Sequence, residues 1–309
     1  MSAQSFLSTH DLTGEQVAGL FDLTAKVKSD PQSYSSALVG KSLAMIFQKS
    51  STRTRVSFEV GMFQLGGQAL FLSSGDIQLG RGETIGDTAR VLSRYTDGIM
   101  ARTFAHDDVV QLAEHGSIPV INGLTDLLHP CQAMADYFTL REIFGDLRGR
   151  KLVYLGDGNN VAHSLLLAAP KVGMDITVAT PSGFEPDSAI LGLAQSEALA
   201  AGVKIEVTDD PGAAVIGASA VYTDVWASMG QEEDAERRLG LFRGFMVDSD
   251  LMSRTLPEAV FLHCLPCHRE EEVSAAVADG PQSHIFDQAE NRLHVQKAIM
   301  LWLMGGAEL

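Results

Sequence analysis

The 309-residue chain carries 23 Lys+Arg against 39 Asp+Glu, a formal net charge of −16, and 45% hydrophobic residues. This composition excludes disordered, collagenous and disulfide-framework classes, and at ~100–200 residues per domain the length predicts about two domains. The acidic balance excludes a general affinity for nucleic acid or an anionic membrane, so any anionic ligand must be held by local Arg and His groups.

Three cysteines, Cys131, Cys264 and Cys267, are too few to staple so long a chain and fit a reducing compartment. The opening MSAQSFLSTHDLTGEQ has neither a basic nor an apolar export region, and no stretch approaches ~18 uninterrupted apolar residues, so a cytoplasmic protein without a membrane span is expected. Thr13-Gly14-Glu15-Gln16 has the Thr-x-x-Gln form of a capping box and predicts a first helix running towards Ser29, stopped by Pro31. Apolar runs at 43–47, 98–101 and 118–121 then read as buried strands, and the spacing predicts helices over 56–65, 84–94 and 133–144. Ser50-Ser51-Thr52-Arg53-Thr54-Arg55 lies between the first of those strands and its helix. Hydroxyls, backbone N–H groups and guanidinium forks at a positive helix terminus make an anion site. Taken by itself, the segment is also a plain Ser/Thr cap followed by surface arginines. Arg102 closes the second strand, and His129-Pro130-Cys131-Gln132 follows the third, presenting an imidazole and a carboxamide where open α/β sheets bind ligands. A His there can donate to a carbonyl oxygen that gains charge, although a His before Pro is commonly a helix-start residue.

A polar stretch at 145–151 separates this half from a second series of strands at 151–155, 175–179, 221–225 and 260–265, with helical spacing at 163–172 and 286–304. The alternation predicts an α/β protein with two doubly wound parallel-sheet domains of similar size joined by helices. Gly156-Asp157-Gly158-Asn159-Asn160 resembles the opening of a dinucleotide fingerprint but lacks its third glycine, and no acidic residue follows the next strand at the ribose-binding position. An NAD-dependent dehydrogenase is therefore one rival reading, and a carboxamide offered by Asn160 to a polar ligand is the other. Asp224, at a strand end, can hold an ammonium group; Trp226-Ala227-Ser228-Met229-Gly230 continues as a loop with Gly230 as a hinge, before a charged helix at 232–238. His263-Cys264-Leu265-Pro266-Cys267-His268 contains C-x-x-C-H, which allows haem attachment, zinc or a redox pair. Haem requires export, a closed zinc site requires a second pair of ligands, and the redox motif requires a smaller thioredoxin-like domain. Cys264 as a substrate-contacting thiol is preferred, with no role for Cys267.

Five blocks stand in order along the chain: Ser51-Thr52-Arg53-Thr54-Arg55, His129-Pro130-Cys131-Gln132, Asp224 to Gly230, His263-Cys264-Leu265-Pro266 and Ala289-Glu290-Asn291-Arg292. Together they resemble the ornithine branch of the aspartate/ornithine carbamoyltransferase family. The resemblance implies a carbamoyl-phosphate-binding domain over 1–145, an ornithine-binding domain over 146–285, and a last helix, 286–309, that packs back on the first. It implies transfer of the carbamoyl group of carbamoyl phosphate to the δ-amine of L-ornithine, giving citrulline and phosphate for arginine biosynthesis, with no cofactor or metal. Carried over residue by residue, Ser51, Thr52, Arg53, Thr54, Arg102, His129 and Gln132 are expected at carbamoyl phosphate. Gln78 is expected to reach the site of a neighbouring subunit in a homotrimer. Asn160, Asp224, Ser228 and Met229 are expected at ornithine, and Cys264, Leu265 and Arg292 at the carbamoyl end. Arg53, Arg102, His129, Asp224 and Cys264 are the expected catalytic set. Gln48 and Cys267 depart from the family pattern without touching a motif position. A sister transferase for putrescine or N-acetylornithine, and a non-catalytic carbamoyl-phosphate-binding protein, are the remaining alternatives.

Overall fold

The structure is a computed structural model that describes residues 4–73, 75, 82–226 and 235–309. The chain forms two compact units, Met1–Ala135 with Glu290–Leu309, and Asp136–Ala289.

In the first unit, α1 (Gly14–Ser29) begins at the expected capping box: Gln16 N–H donates to Thr13 Oγ1 (3.2 Å) and Thr13 N–H to Gln16 Oε1 (2.9 Å). There follow β1 (Ser42–Phe47), α2 (Thr52–Gln64), β2 (Gln68–Ser73), α3 (Ile85–Leu92), β3 (Gly98–Arg102), α4 (His106–His115), β4 (Val120–Leu124) and α5 (Pro130–Phe144). The four strands are parallel in the order β2-β1-β3-β4. β1 and β3 are buried along nearly their whole length, as parallel strands covered on both faces must be. Ala44, Ile46, Ile99, Ala101 and Val120 pack on one face against Ala89, Val109 and Leu112 of α3 and α4.

The second unit adds β5 (Lys151–Leu155), α6 (Asn160–Val172), β6 (Asp175–Ala179), α7 (Ser188–Ala201), β7 (Ile205–Thr208), α8 (Pro211–Ala214), β8 (Ala220–Thr223), α9 (Ala235–Phe242), α10 (Ser249–Met252), β9 (Val260–His263), α11 (Ala275–Ala278) and α12 (Ile285–Met304). Its parallel sheet runs β7-β6-β5-β8-β9. Val153, Leu155, Val221 and Phe261 form its core with Val247, Val277 and Ile285. The chain passes between the units inside α5 and again inside α12. From Asn291 onwards α12 is fastened to the first unit: Lys28 Nζ donates to Asn291 Oδ1 (2.8 Å) and Lys297 Nζ to Gln64 Oε1 (3.0 Å).

In each sheet the strand order reverses once, between β1 and β3 in the first and between β5 and β8 in the second. The crevice beyond the carboxyl ends of strands at such a reversal is where open α/β sheets bind ligands.

Candidate active site

The first cluster stands at the carboxyl ends of β1, β3 and β4. Ser51 caps α2 from an extended backbone, its Oγ accepting the Thr54 N–H (3.2 Å), so the first helical turn presents Thr52, Arg53 and Thr54. Thr52 and Arg53 are exposed, whereas Thr54 is 1% exposed. Arg292 of α12, itself buried, donates from Nη2 to Thr54 Oγ1 (3.4 Å) and from Nη1 to Gln132 Oε1. Arg102 is the last residue of β3, and His129 precedes α5 at 6% exposure. Burial, followed by the positive charges of Arg292, Arg102 and Arg53, holds the His129 imidazole well below its ordinary pKa. It is therefore a neutral hydrogen-bonding group among three guanidinium groups. Cys131, beside it in sequence, points away from this chemistry: its buried thiol donates to Asn122 O (3.4 Å), and burial pushes its pKa up to about 12.

The second cluster stands at the carboxyl ends of β5, β8 and β9. Asp224 follows β8 at 7% exposure, its Oδ2 accepting from Asn159 Nδ2 (2.9 Å) and its Oδ1 from the Cys264 thiol (3.0 Å) and Val225 N–H (2.8 Å). Asn159 caps α6, its Oδ1 accepting the N–H groups of Val161 (2.9 Å) and Ala162 (3.3 Å), and Asn160 opens the helix. Leu265 holds a left-handed backbone, φ 60°, which an L-residue adopts at a cost. Its N–H donates to His263 Nδ1 (2.8 Å), which leaves His263 Nε2–H for the buried Glu272 Oε1 (3.2 Å). Gln288 extends the brace, accepting His263 N–H (2.9 Å) and donating to Asp136 Oδ1 (2.6 Å).

Sequence comparison decides the family. Family models for aspartate/ornithine carbamoyltransferase match twice, the carbamoyl-P binding domain over residues 4–142 and the Asp/Orn binding domain over residues 148–303. The chain belongs to the aspartate/ornithine carbamoyltransferase family. An ornithine carbamoyltransferase of Symbiobacterium thermophilum is 55% identical, covering 98% of this chain and 99% of its own. An anabolic ornithine carbamoyltransferase of Pyrococcus furiosus is 53% identical over 99% and 98% of the two chains. The solved structure of the ornithine carbamoyltransferase from P. furiosus superposes with a TM-score of 0.96 at 52% identity over 99% of both chains.

In this carbamoyltransferase-family chain the dinucleotide-like glycines serve the fold, one through its backbone conformation and one through close packing. Gly156 takes φ 139°, and a Cβ on Gly158 would lie 2.3 Å from Pro186 N. The half-buried Asp157 between them pairs with the buried Arg238, and Asn159 already occupies two of the α6 N–H donors that a pyrophosphate would need. Asp224, His263 and Cys264 offer metal-ligand atoms within 4.8 Å of one another, as do His268, Glu271 and Glu272. In the first set these groups are bonded to Asn159, Leu265, Glu272 and each other; in the second, Glu272 Oε1 is shared by His263 and the His268 N–H. Cys267 packs against the second core and accepts from Arg269 Nη1 (3.6 Å), and burial pushes its thiol up, which disfavours a thiolate.

Of the expected residues, Ser51, Thr52, Arg53, Thr54, Arg102, His129, Gln132 and Arg292 fall in the first unit, and Asn160, Asp224, Cys264 and Leu265 in the second. Gln78, Ser228 and Met229 lie outside the described residues. The motifs miss Asn159, although an Asn directly before a helix signals a cap. Nothing in the spacing signals Arg238, Glu272 or Gln288, which reach their partners only through the tertiary fold.

Proposed function

We propose that the protein transfers the carbamoyl group of carbamoyl phosphate to the δ-amine of L-ornithine, forming L-citrulline and releasing phosphate. The observation that carries this reading is the buried, neutral His129 held among Arg53, Arg102 and Arg292. A dianionic acyl phosphate needs fixed cations for its phosphate and neutral donors for its carbonyl, and this cluster supplies both. The first unit binds carbamoyl phosphate and the second binds ornithine; the first ends at Ala135 inside α5 where 145 was expected, and it regains the chain at Glu290 where 286 was expected.

Arg53, Ser51, Thr52 and the first turn of α2 hold the phosphate. Thr54, Arg102 and His129 donate to the carbonyl oxygen as it becomes an oxyanion, and Gln132, Arg292, Cys264 and Leu265 hold the carbamoyl end. A neutral imidazole polarises the carbonyl without surrendering its proton outright, as suits a donor to a transient charge. Asp224, Asn160, Ser228 and Met229 hold ornithine, with Cys264 at the reacting amine. That amine forms the new C–N bond while the C–O bond to phosphate breaks. It attacks only when deprotonated; neighbouring guanidinium groups lower its pKa, and the departing phosphate accepts a proton. Nothing in this transfer calls for a redox cofactor or a metal.

The protein works as a cytoplasmic homotrimer, with Gln78 reaching a neighbouring subunit's site. The exposed Val56 and Phe63 of α2 and Leu70 of β2 support assembly through the first unit. Among the described residues no helix is long and apolar enough to cross a membrane. The anabolic name of the P. furiosus relative supports a place in arginine biosynthesis. Incubation with both substrates tests the reading: citrulline and phosphate must appear in equal amounts, and phosphate without citrulline would contradict it.

A further inference from the structure

Three loops, 48–51, 103–105 and 125–129, follow β1, β3 and β4 and carry the first cluster. Gln48 fastens the first loop to the second. Its Oε1 accepts the Phe104 N–H (3.0 Å), its Nε2 donates to Asp108 Oδ2 (3.0 Å), and its backbone N–H donates to Arg102 O (2.8 Å). Both ends of the carboxamide and the main chain are thus committed, and they hold the chain at Arg102 and two residues beyond. The third loop joins through Asp126, whose N–H donates to Phe104 O (2.9 Å) and whose carboxylate pairs with Lys49. The Lys49 ammonium in turn lies 4.5 Å from the centre of the Phe104 ring.

We infer that Gln48 is a positioning residue for the carbamoyl-phosphate half of the site, fixing Arg102 through a clasp that only a carboxamide can make opposite Asp108. The inference rests on the transfer reaction proposed above, in which Arg102 meets the carbonyl oxygen. Orientation of such a donor is worth much in rate, because a displacement of about 1 Å at a reacting group costs on the order of a hundredfold. The chemistry of the clasp is asymmetric. One end must accept from an N–H and the other must donate to a carboxylate. Glutamate has the same shape but can do only the first, and it sets a second carboxylate against Asp108. Two carboxylates at hydrogen-bonding distance share a proton at low pH and repel when that proton leaves.

The test compares wild type, Gln48→Glu, and Gln48→Glu combined with Asp108→Asn, from about pH 6 to about pH 9, with melting temperatures alongside. In the double variant the carboxylate introduced at position 48 accepts from both the Phe104 N–H and the side-chain amide introduced at position 108, so the clasp is rebuilt with its polarity reversed. Gln48→Glu is expected to lose about tenfold in kcat/KM for carbamoyl phosphate at the alkaline end, with the KM for ornithine unmoved. The deficit relative to wild type should shrink towards pH 6, and the double variant should return to within about threefold of wild type. A deficit independent of pH, or one the second substitution fails to relieve, overturns the inference, because general loosening of the fold would be blind to both. Should Gln48→Glu fail to fold, Gln48→Ala must still reduce kcat/KM for carbamoyl phosphate selectively; wild-type kinetics there overturn the inference. No citrulline from wild type overturns the transfer reaction and this inference with it, whereas normal wild-type turnover with an unaltered Gln48→Glu enzyme overturns the inference alone.

Discussion

Arg53 combines an exposed guanidinium with the positive end of a helix, and no neighbouring side chain can replace both contributions. Arg53→Gly is expected to cut kcat/KM for carbamoyl phosphate roughly 10²–10³-fold, the loss typical of a removed charge-stabilising donor, while leaving the melting temperature nearly unchanged. Steady-state kinetics with the carbamoyl donor varied read this directly, and a wild-type constant would remove Arg53 from the phosphate. Cys264 is committed to Asp224 through its thiol. Cys264→Ala should therefore raise the KM for ornithine and lower kcat; if neither turnover nor ornithine binding moves, the thiol does not meet the amine. At this scale the placement of the motif residues at strand ends was legible, because each follows a continuous apolar run. Their supports were not. Glu272 and Gln288 are ordinary polar residues in sequence and become buried partners of His263 only when separate elements close over it.

Among the elements, α2 and the loop after β5 carry the sharpest expectations. Ser51→Ala removes the cap of α2 and should destabilise the protein by about 1 kcal/mol while weakening carbamoyl phosphate binding, measured by urea unfolding and by ligand titration. Gly158→Ala places a Cβ 2.3 Å from Pro186 N and 2.5 Å from Glu185 C, backbone atoms that cannot swing aside. A destabilisation of about 1–3 kcal/mol is expected, and an unchanged urea midpoint would show that the 184–186 segment yields. The buried strands announced themselves by continuous apolar runs, within three residues of their observed ends. β7 did not, because it is a half-exposed edge strand of mixed sequence, and β2 was not read either, although Ala69 to Leu72 is an apolar run. α4 and α7 were equally silent: each buries fully only two residues, Val109 and Leu112 in one and Ala194 and Ala198 in the other, too few to set a helical period.

For the molecule as a whole, three histidines titrate in the same direction. Burial leads in lowering the pKa of His106, His129 and His294, so the unfolded chain takes up protons near pH 6.5 before the native protein does. Stability is then complete above that pH and falls as the pH drops below it, because protons bind preferentially to the unfolded state. Melting temperatures recorded on descending from neutral to mildly acid pH should decline, and a flat or rising profile would contradict the lowered pKa of these three histidines. The doubly wound architecture and the existence of two units were legible from length and alternation. The passage of α5 between the units was not, and the return of α12 was implied only by the family resemblance, because periodicity records which face of a helix is buried but not which neighbour buries it. The most direct measurement is the initial rate of ureido-product formation from carbamoyl phosphate with L-ornithine, aspartate, putrescine and N-acetylornithine in parallel, using Arg53→Gly as the blank. The account predicts a strong preference for L-ornithine that the blank loses; preference for another amine, or no product from any, would contradict it.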